Sequence, residues 1–303
     1  MNLPATQLSV LIKDVAWKYD IAPHTMKNEI SHLNDFESFV TDMGLYHADY
    51  GFHDHVFLLY KRHITATVNL KNSTKRQRLV AVGKFLRTAF EYDKVDKDLT
   101  KGVKLPSAPE KHLKEGLYEE ELTQIISKVE KFEDEKLKSM VLSWLYLMAY
   151  NGLRQFEVLK IKHEDINLKS GVLMVKGKKR FIEEPVTLHP EAFDKLKQYL
   201  VDAEITEGYI YQSPRSKSPK PLSTRYMQKI LRPIIDEVDE NKSIHGCRKF
   251  FITKVLEITH GDVNLARELS RGRAIETIQA YDNKRRLKMK IPEVYNKFTL
   301  NPS

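Results

Sequence analysis

The sequence predicts a mainly α chain of two domains: a helical first domain, then a mixed helical second domain carrying one small antiparallel sheet. Three observations lead there. The chain has 303 residues, more than the roughly 100–200 that one compact core usually takes. Apolar residues recur at helical spacing along most of it, and a single stretch reads as paired strands. With 41% hydrophobic residues and aromatics throughout, there is enough apolar surface to fold without disulfides or a structural metal.

The first domain is expected over residues 1–104. Thr25 is placed to cap a helix whose apolar residues Ile30, Leu33, Phe36, Phe39 and Val40 share a face, and Gly44 stops it. Ser73 is placed to cap another, with Leu79, Val82, Phe85, Leu86 and Phe90 on one side and basic residues on the others. Residues 105–116, with Pro106, Pro109 and several lysines, read as an exposed linker. The second domain, 117–303, opens with helical periodicity over 118–131 and 135–150. The latter buries Met140, Val141, Trp144, Leu145 and Met148 and ends at Asn151 and Gly152, a C-terminal stop. Residues 171–175 and 181–188, joined by a polar 176–180, suggest a hairpin. Helices are expected over 223–236 with an interruption at Pro233, over about 245–259 and over 264–269. Beyond Arg286, Ile291, Val294, Tyr295 and Phe298 recur as on one face of an amphipathic tail helix.

Charge and composition narrow the function. No apolar run reaches membrane-spanning length and no signal-peptide pattern opens the chain, so a cytoplasmic, nucleoid-associated protein is expected. The single cysteine, Cys247, excludes an internal disulfide or a Cys-rich zinc site and is read as a buried, inert thiol. A net charge of +9 and a pI near 9.2 favour a polyanionic partner. The distribution is more telling: residues 69–88 carry Lys71, Lys75, Arg76, Arg78, Lys84 and Arg87 without one acid, and residues 212–233 are likewise acid-free. Such runs favour phosphate contact. Lys75, Arg76 and Arg78 from the first domain, and Lys179, Arg225, Gln228 and Lys229 from the second, are the candidate DNA-binding residues.

Four features of the second half carry the chemistry jointly: Arg154 after a helix-ending glycine with Glu157 following, a lysine-rich hairpin, His245 with Arg248, and Tyr281. Each is weak alone. In order and spacing they resemble the tyrosine recombinase family, the lambda-integrase or Xer-like phage integrases. AYNGLRQFEVL at 149–159 resembles the family's first box, which implies that Arg154 grips the scissile phosphate with Glu157 beside it. The hairpin implies a catalytic lysine at Lys178, with Lys176 and Lys179 close by. HGCRKFF at 245–251, similar to archaeal members, resembles the second box, giving His245 and Arg248; ETIQAYD at 276–282 makes Tyr281 the nucleophile. One position departs: the family usually has His or Trp, commonly after Gly, about nine residues before the nucleophile, where this chain has Gly272. Either Arg271 or Arg273 supplies that contact, or the site works with fewer ligands, or the enzyme is weakened.

These residue types suit the implied reaction. Attack by a phenol on a phosphodiester builds charge on the non-bridging oxygens, and the planar, permanently charged fork of arginine meets it. Tyrosine is a weak nucleophile near neutrality, so a base such as His245 must help it, and Lys178 is placed to protonate the leaving 5′-oxygen. The resemblance implies a 3′-phosphotyrosine intermediate, a double-stranded DNA recombination site, and a homotetramer on DNA that exchanges tail helices. It implies no cofactor, no metal and no membrane partner. A recombinase-derived DNA-binding protein and a type IB topoisomerase-like enzyme are the rival readings.

Overall fold

The computed structural model describes residues 7–19, 21, 23–47, 49–106, 115–176, 183–212, 219–272, 275–276, 278–279 and 281–283. The chain divides into two compact units, residues 1–111 and 112–303. Lys178, Lys179, Arg273, most of the expected linker and the whole expected tail helix lie outside the described residues.

The first unit holds α1 (Gln7–Ala16), α2 (Pro23–Asp42), a two-stranded ribbon of β1 (Tyr46–His47) and β2 (Gly51–Phe52), α3 (Val56–Ala66) and α4 (Asn72–Glu91). Leu33, Phe36 and Val40 of α2 meet Val56, Tyr60 and Ile64 of α3 and Leu79, Val82, Phe85 and Leu86 of α4 in one core. Burial of these faces at roughly 1.5–3 kcal/mol per large side chain outweighs any cap. Two expected caps are accordingly wrong. α2 starts at Pro23, ahead of Thr25, because proline has its φ preset for a first turn and lacks only an N–H that would be unpaired there. α4 starts at Asn72 from an extended Lys71 that makes no side-chain cap bond, leaving Ser73 inside the helix. Phe90, expected in the core, is exposed near the end of α4. At the crossing of α3 and α4 a Cβ on Gly83 would stand 3.1 Å from Phe57 Cζ, so the missing side chain sets how closely the helices approach.

The second unit is built around α6 (Glu135–Tyr150), buried along most of its circumference. Asp134 caps it, accepting from the Leu137 N–H at 2.9 Å. The order is α5 (Glu119–Glu130), α6, α7 (Gln155–Leu159), a 3-10 turn (His163–Asp165), β3 (Ile166–Asn167), β4 (Val172–Lys176), β5 (Glu183–Thr187), α8 (Pro190–Asp202), α9 (Thr224–Asp236), α10 (His245–Ile258) and α11 (Val263–Leu269). α6 packs on α8, α10, α5 and α7. The expected hairpin is β4 with β5, paired from Val172 with Thr187 to Lys176 with Glu183, and β3 adds a third antiparallel strand. α9 runs through Pro233 to Asp236 rather than breaking there. Trp144 meets Tyr211 edge-on at 5.8 Å and Tyr211 hydrogen-bonds Ser143 at 2.7 Å, which satisfies the one polar atom this aromatic buries at the centre. Cys247 is buried beside them in the same core, and burial pushes its thiol up to about 12, so it is inert as expected. Among the described residues no helix is long and apolar enough to cross a membrane.

Candidate active site

The site begins where α6 stops. Gly152 takes φ +60, and a Cβ there would stand 2.4 Å from Cδ1 of Phe251 on α10, so both the turn and the close approach require glycine. The chain turns across the Phe251 ring and presents Arg154 at the start of α7. Glu157, in the first turn of α7, reaches back: Oε2 accepts from the Arg154 backbone N–H at 2.8 Å and Oε1 from Arg154 Nη1 at 2.6 Å. Its side chain is only 2% exposed.

Glu157 also holds Arg271, whose Nη2 lies 3.2 Å from Oε2. The two arginines brace one another, since Arg154 Nη2 donates to the Arg271 carbonyl at 2.8 Å. Burial works against ionisation of Glu157, but the Arg271 charge and the Arg154 N–H and guanidinium outweigh it and hold the carboxyl below its ordinary range. A carboxylate fixed in this way keeps two guanidinium groups oriented without occupying every donor.

Arg248, 4% exposed on the first turns of α10, donates Nη1 to the Gly152 carbonyl and Nη2 to the Ser270 carbonyl. It therefore ties the end of α6 to the end of α11. Burial, then the neighbouring Arg154 and Arg271, press its guanidinium down to about 9, still a cation at neutral pH. His245, the first residue of α10, keeps a solvent-exposed side. Desolvation of its ring, then the charges of Arg248, Lys249 and Arg154, push the imidazole down to about 4, so it is neutral at pH 7. Tyr281 is half-buried against Phe251, Ile252, Val263, Ala266 and Ile278. Burial raises its phenol above the ordinary value, while Arg248 acts in the opposite sense.

Arg154, Glu157, His245, Arg248, Arg271 and Tyr281, spread over more than 120 positions of sequence, thus lie within one another's electrostatic reach. Lys176 ends in an ion pair with Asp165 at 3.4 Å and another with Glu183 at 3.3 Å, so of the three hairpin lysines it is held at the base of the strands. The candidate DNA-binding residues divide. Arg225, Gln228 and Lys229 lie on the exposed face of α9, whose Met227, Leu231 and Ile235 face the core. In the first unit Arg78 is ion-paired to Asp35 on α2, and Lys75 Nζ donates to the Thr65 carbonyl on α3 at 2.8 Å. Arg76 is partly exposed. Sequence reasoning missed Lys249, buried beside Arg248, with its Nζ 5.6 Å from the Tyr281 ring centroid. The signal available was a cation next to Arg248 in HGCRKFF.

The model of the phage integrase family matches residues 115–287, more than half of the chain and all of the described site. The chain belongs to the phage integrase family. It is 25% identical over 196 residues to the tyrosine recombinase XerA of Pyrococcus horikoshii, a match covering 65% of each chain, so it spans just under two thirds of that relative's length. In fold it is similar to a XerH site-specific recombinase bound to its difH substrate before cleavage, with a TM-score of 0.66, 19% identity, and coverage of 96% of this chain and 85% of that one. It is also similar to a lambda integrase tetramer bound to a Holliday junction, with a TM-score of 0.68, 13% identity, and coverage of 92% and 77%.

Proposed function

We propose that this protein is a site-specific DNA recombinase that cleaves and rejoins strands through a 3′-phosphotyrosine intermediate. The observation that carries the reading is the gathering of Arg154, Arg248 and Arg271, the first and last ion-paired to the buried Glu157, with a neutral His245 and the Tyr281 phenol beside them. A cluster of three guanidiniums is expensive in isolation and suited to a bound phosphate, whose charge relieves their repulsion.

In this reading Tyr281 Oη attacks phosphorus, the new O–P bond replaces the bond to the 5′-oxygen, and the 3′-phosphate stays on the enzyme. The phenolic proton passes to His245, and Lys178 gives a proton to the departing 5′-hydroxyl. Phosphate in the site favours imidazolium, which raises the basicity of His245 when it is needed. Attack by a 5′-hydroxyl of another strand reverses each step. Arg154 and Arg248 clamp the non-bridging oxygens. In the same reading Arg271, whose guanidinium reaches Glu157, takes the part that the family usually gives to a histidine or tryptophan side chain, because Gly272 has none.

The two units correspond in this reading to a DNA-clamping domain and a catalytic domain. Lys75, Arg76 and Lys179, together with Arg225, Gln228 and Lys229 on α9, are the phosphate or base contacts; Arg78 keeps Asp35 as its partner. The working form is a homotetramer on two DNA sites, with the tail carrying Ile291, Val294, Tyr295 and Phe298 exchanged between protomers, in the cytoplasm with the nucleoid. The test is covalent capture. A random-sequence pool of nicked duplexes is incubated with the chain, and protein–DNA adducts are isolated after denaturation. Wild type is expected to form adducts that vanish in Tyr281→Phe and fall about 100- to 1,000-fold in Arg154→Ala and Arg248→Ala. Retention of DNA without any adduct would favour a binding-only protein.

A further inference from the structure

Lys249 has no role in the scheme above, yet it is a lysine only 7% exposed on the helix that carries Arg248. Burying an ammonium is unfavourable unless its surroundings favour the cation. Two features fix its course. At its base, the segment leading into α5 runs so close that a Cβ on Gly116 would stand 3.0 Å from Lys249 Cβ and 3.1 Å from the Phe250 nitrogen. The Leu117 N–H then donates to the Gly246 carbonyl at 3.2 Å, tying that segment to the first turn of α10. At its tip, Nζ lies 5.6 Å from the centroid of the Tyr281 ring, within the distance at which the negative face of an aromatic ring attracts a cation.

We propose that Lys249 is a positioning residue for Tyr281, its ammonium holding the ring over α10 beside Arg248 and favouring the phenolate over the phenol. The inference rests on the reading of Tyr281 as nucleophile and deepens it. Ring and ammonium attract weakly while the phenol is protonated and more strongly as it ionises, so the contact favours the attacking form over the resting one. The other groups around the ring do not duplicate it. From α10 Arg248 acts on the phenol and Lys249 lies over the ring; α11 contributes the apolar Val263 and Ala266, its own segment contributes Ile278, and the next residue is the buried Asp282. Arg248 is also bonded to two backbone carbonyls, and it is the Lys249 ammonium that lies over the ring's face.

The test reads the phenol directly. Difluorotyrosine is placed at position 281 of the full chain, where ring fluorination brings the titration into a range the folded protein tolerates, and the fluorine signal is followed against pH. Lys249→Met is expected to raise the midpoint by about one pH unit, roughly a tenfold loss of phenolate at fixed pH, and Lys249→Arg to bring it back. An unchanged midpoint in folded Lys249→Met overturns the proposal; if that variant does not fold, Lys249→Gln supplies the same comparison. In a second arm, unmodified chains capture the random-sequence pool of nicked duplexes across the pH range. Lys249→Met is expected to form adduct about tenfold more slowly near neutrality, with the gap closing toward alkaline pH, whereas a loss of equal size at every pH would mean a packing role only and would also overturn it. Should wild type capture nothing, the reading of Tyr281 as nucleophile fails, and the fluorine titration still decides the contact with Lys249.

Discussion

Arg271 adopts φ +52, the left-handed conformation that disfavours a side chain by about 1–2 kcal/mol. It does so because α11 ends in a paired-carbonyl stop: the Gly272 N–H donates to the Arg267 carbonyl at 2.8 Å and the Arg271 N–H to that of Glu268 at 2.9 Å. Glycine usually takes the position that Arg271 takes here. The order Arg-Gly therefore puts the guanidinium on the turn itself, where it reaches Glu157, and leaves Gly272 with ordinary backbone angles. Arg271→Gly relieves the turn but removes a partner from a buried carboxylate, so a net loss on the order of 2 kcal/mol is expected in denaturant unfolding, with strand cleavage down about 100-fold or more. Adding Gly272→His should recover part of that cleavage. A Cβ at Gly272 meets Ser270 Oγ at 3.2 Å, a side chain able to give way, with Ile278 Cδ1 at 3.6 Å and the Arg267 carbonyl at 3.7 Å in ordinary contact. No recovery would remove the idea that the two residues exchange one role. Glu157 gives the acid side of the stability profile. Its folded carboxyl is lowered, so its contribution is complete above the unfolded value near pH 4.3–4.5 and is lost as pH falls through the folded one. Glu157→Gln should abolish that part of the acid slope and destabilise at neutral pH by roughly 3 kcal/mol, since Arg154 and Arg271 then lose the carboxylate they are paired to. An unaltered acid limb in unfolding at pH 3–5 would show the carboxylate to be uncoupled from folding.

The decisive element is the turn between α6 and α7, which aims Arg154 and offers the Gly152 carbonyl to Arg248. Gly152→Ala forces a Cβ into a left-handed position and into the Phe251 ring at 2.4 Å, so a loss of about 2–4 kcal/mol is expected. Gly152→Ala with Phe251→Leu should lose less than the two single changes added together, because the smaller side chain removes the collision and leaves only the backbone term. Simple additivity would mean that α6 and α10 do not in fact bear on one another there. This junction was legible in the sequence: α6 has a dense apolar face, an acidic cap and a glycine at its end, three signals that agree. α8 was not assigned, since its apolar positions Ala192, Leu196, Tyr199 and Leu200 are interspersed with six charged or amide residues, and its cap is His189 ahead of Pro190. α3 was missed for a related reason: it opens at His55 without a side-chain cap bond, and it depends on the core it helps to form. Thr25 and Ser73 misled because a side chain able to cap does so only where the backbone leaves the helix, and tertiary burial extended both helices past them.

Over the whole molecule, the apolar pattern determined both cores because burial of Phe36, Phe85, Trp144 and Tyr211 leaves few alternatives, whereas the pairing of charges was invisible. The acid-free run of 69–88 illustrates this. Its cations find acids that are distant in sequence, Asp35 for Arg78 and Glu29 for Lys84, the latter at 4.0 Å with its Nζ also 3.7 Å from the Tyr19 ring centroid. Absence of nearby acid is thus no proof of a free cation, and the net charge of +9 acts through those basic groups that the fold leaves unpaired. α9 is the clearest source: its buried stripe fixes the helix so that Arg225 and Lys229, one turn apart, project to solvent together. Each phosphate neutralised contributes about 0.9 to the slope of log affinity against log salt. Arg225→Gln with Lys229→Gln is therefore expected to flatten that slope by nearly 2 on random-sequence duplex, while leaving thermal stability within about 0.5 kcal/mol of wild type, as surface changes do. Arg78→Gln is the internal contrast. It should leave the slope unchanged and lower stability by about 1 kcal/mol through the loss of its Asp35 partner. Were Arg78→Gln to flatten the slope and the α9 pair to leave it intact, the DNA-facing cations would belong to the first unit and the assignment of α9 would be reversed.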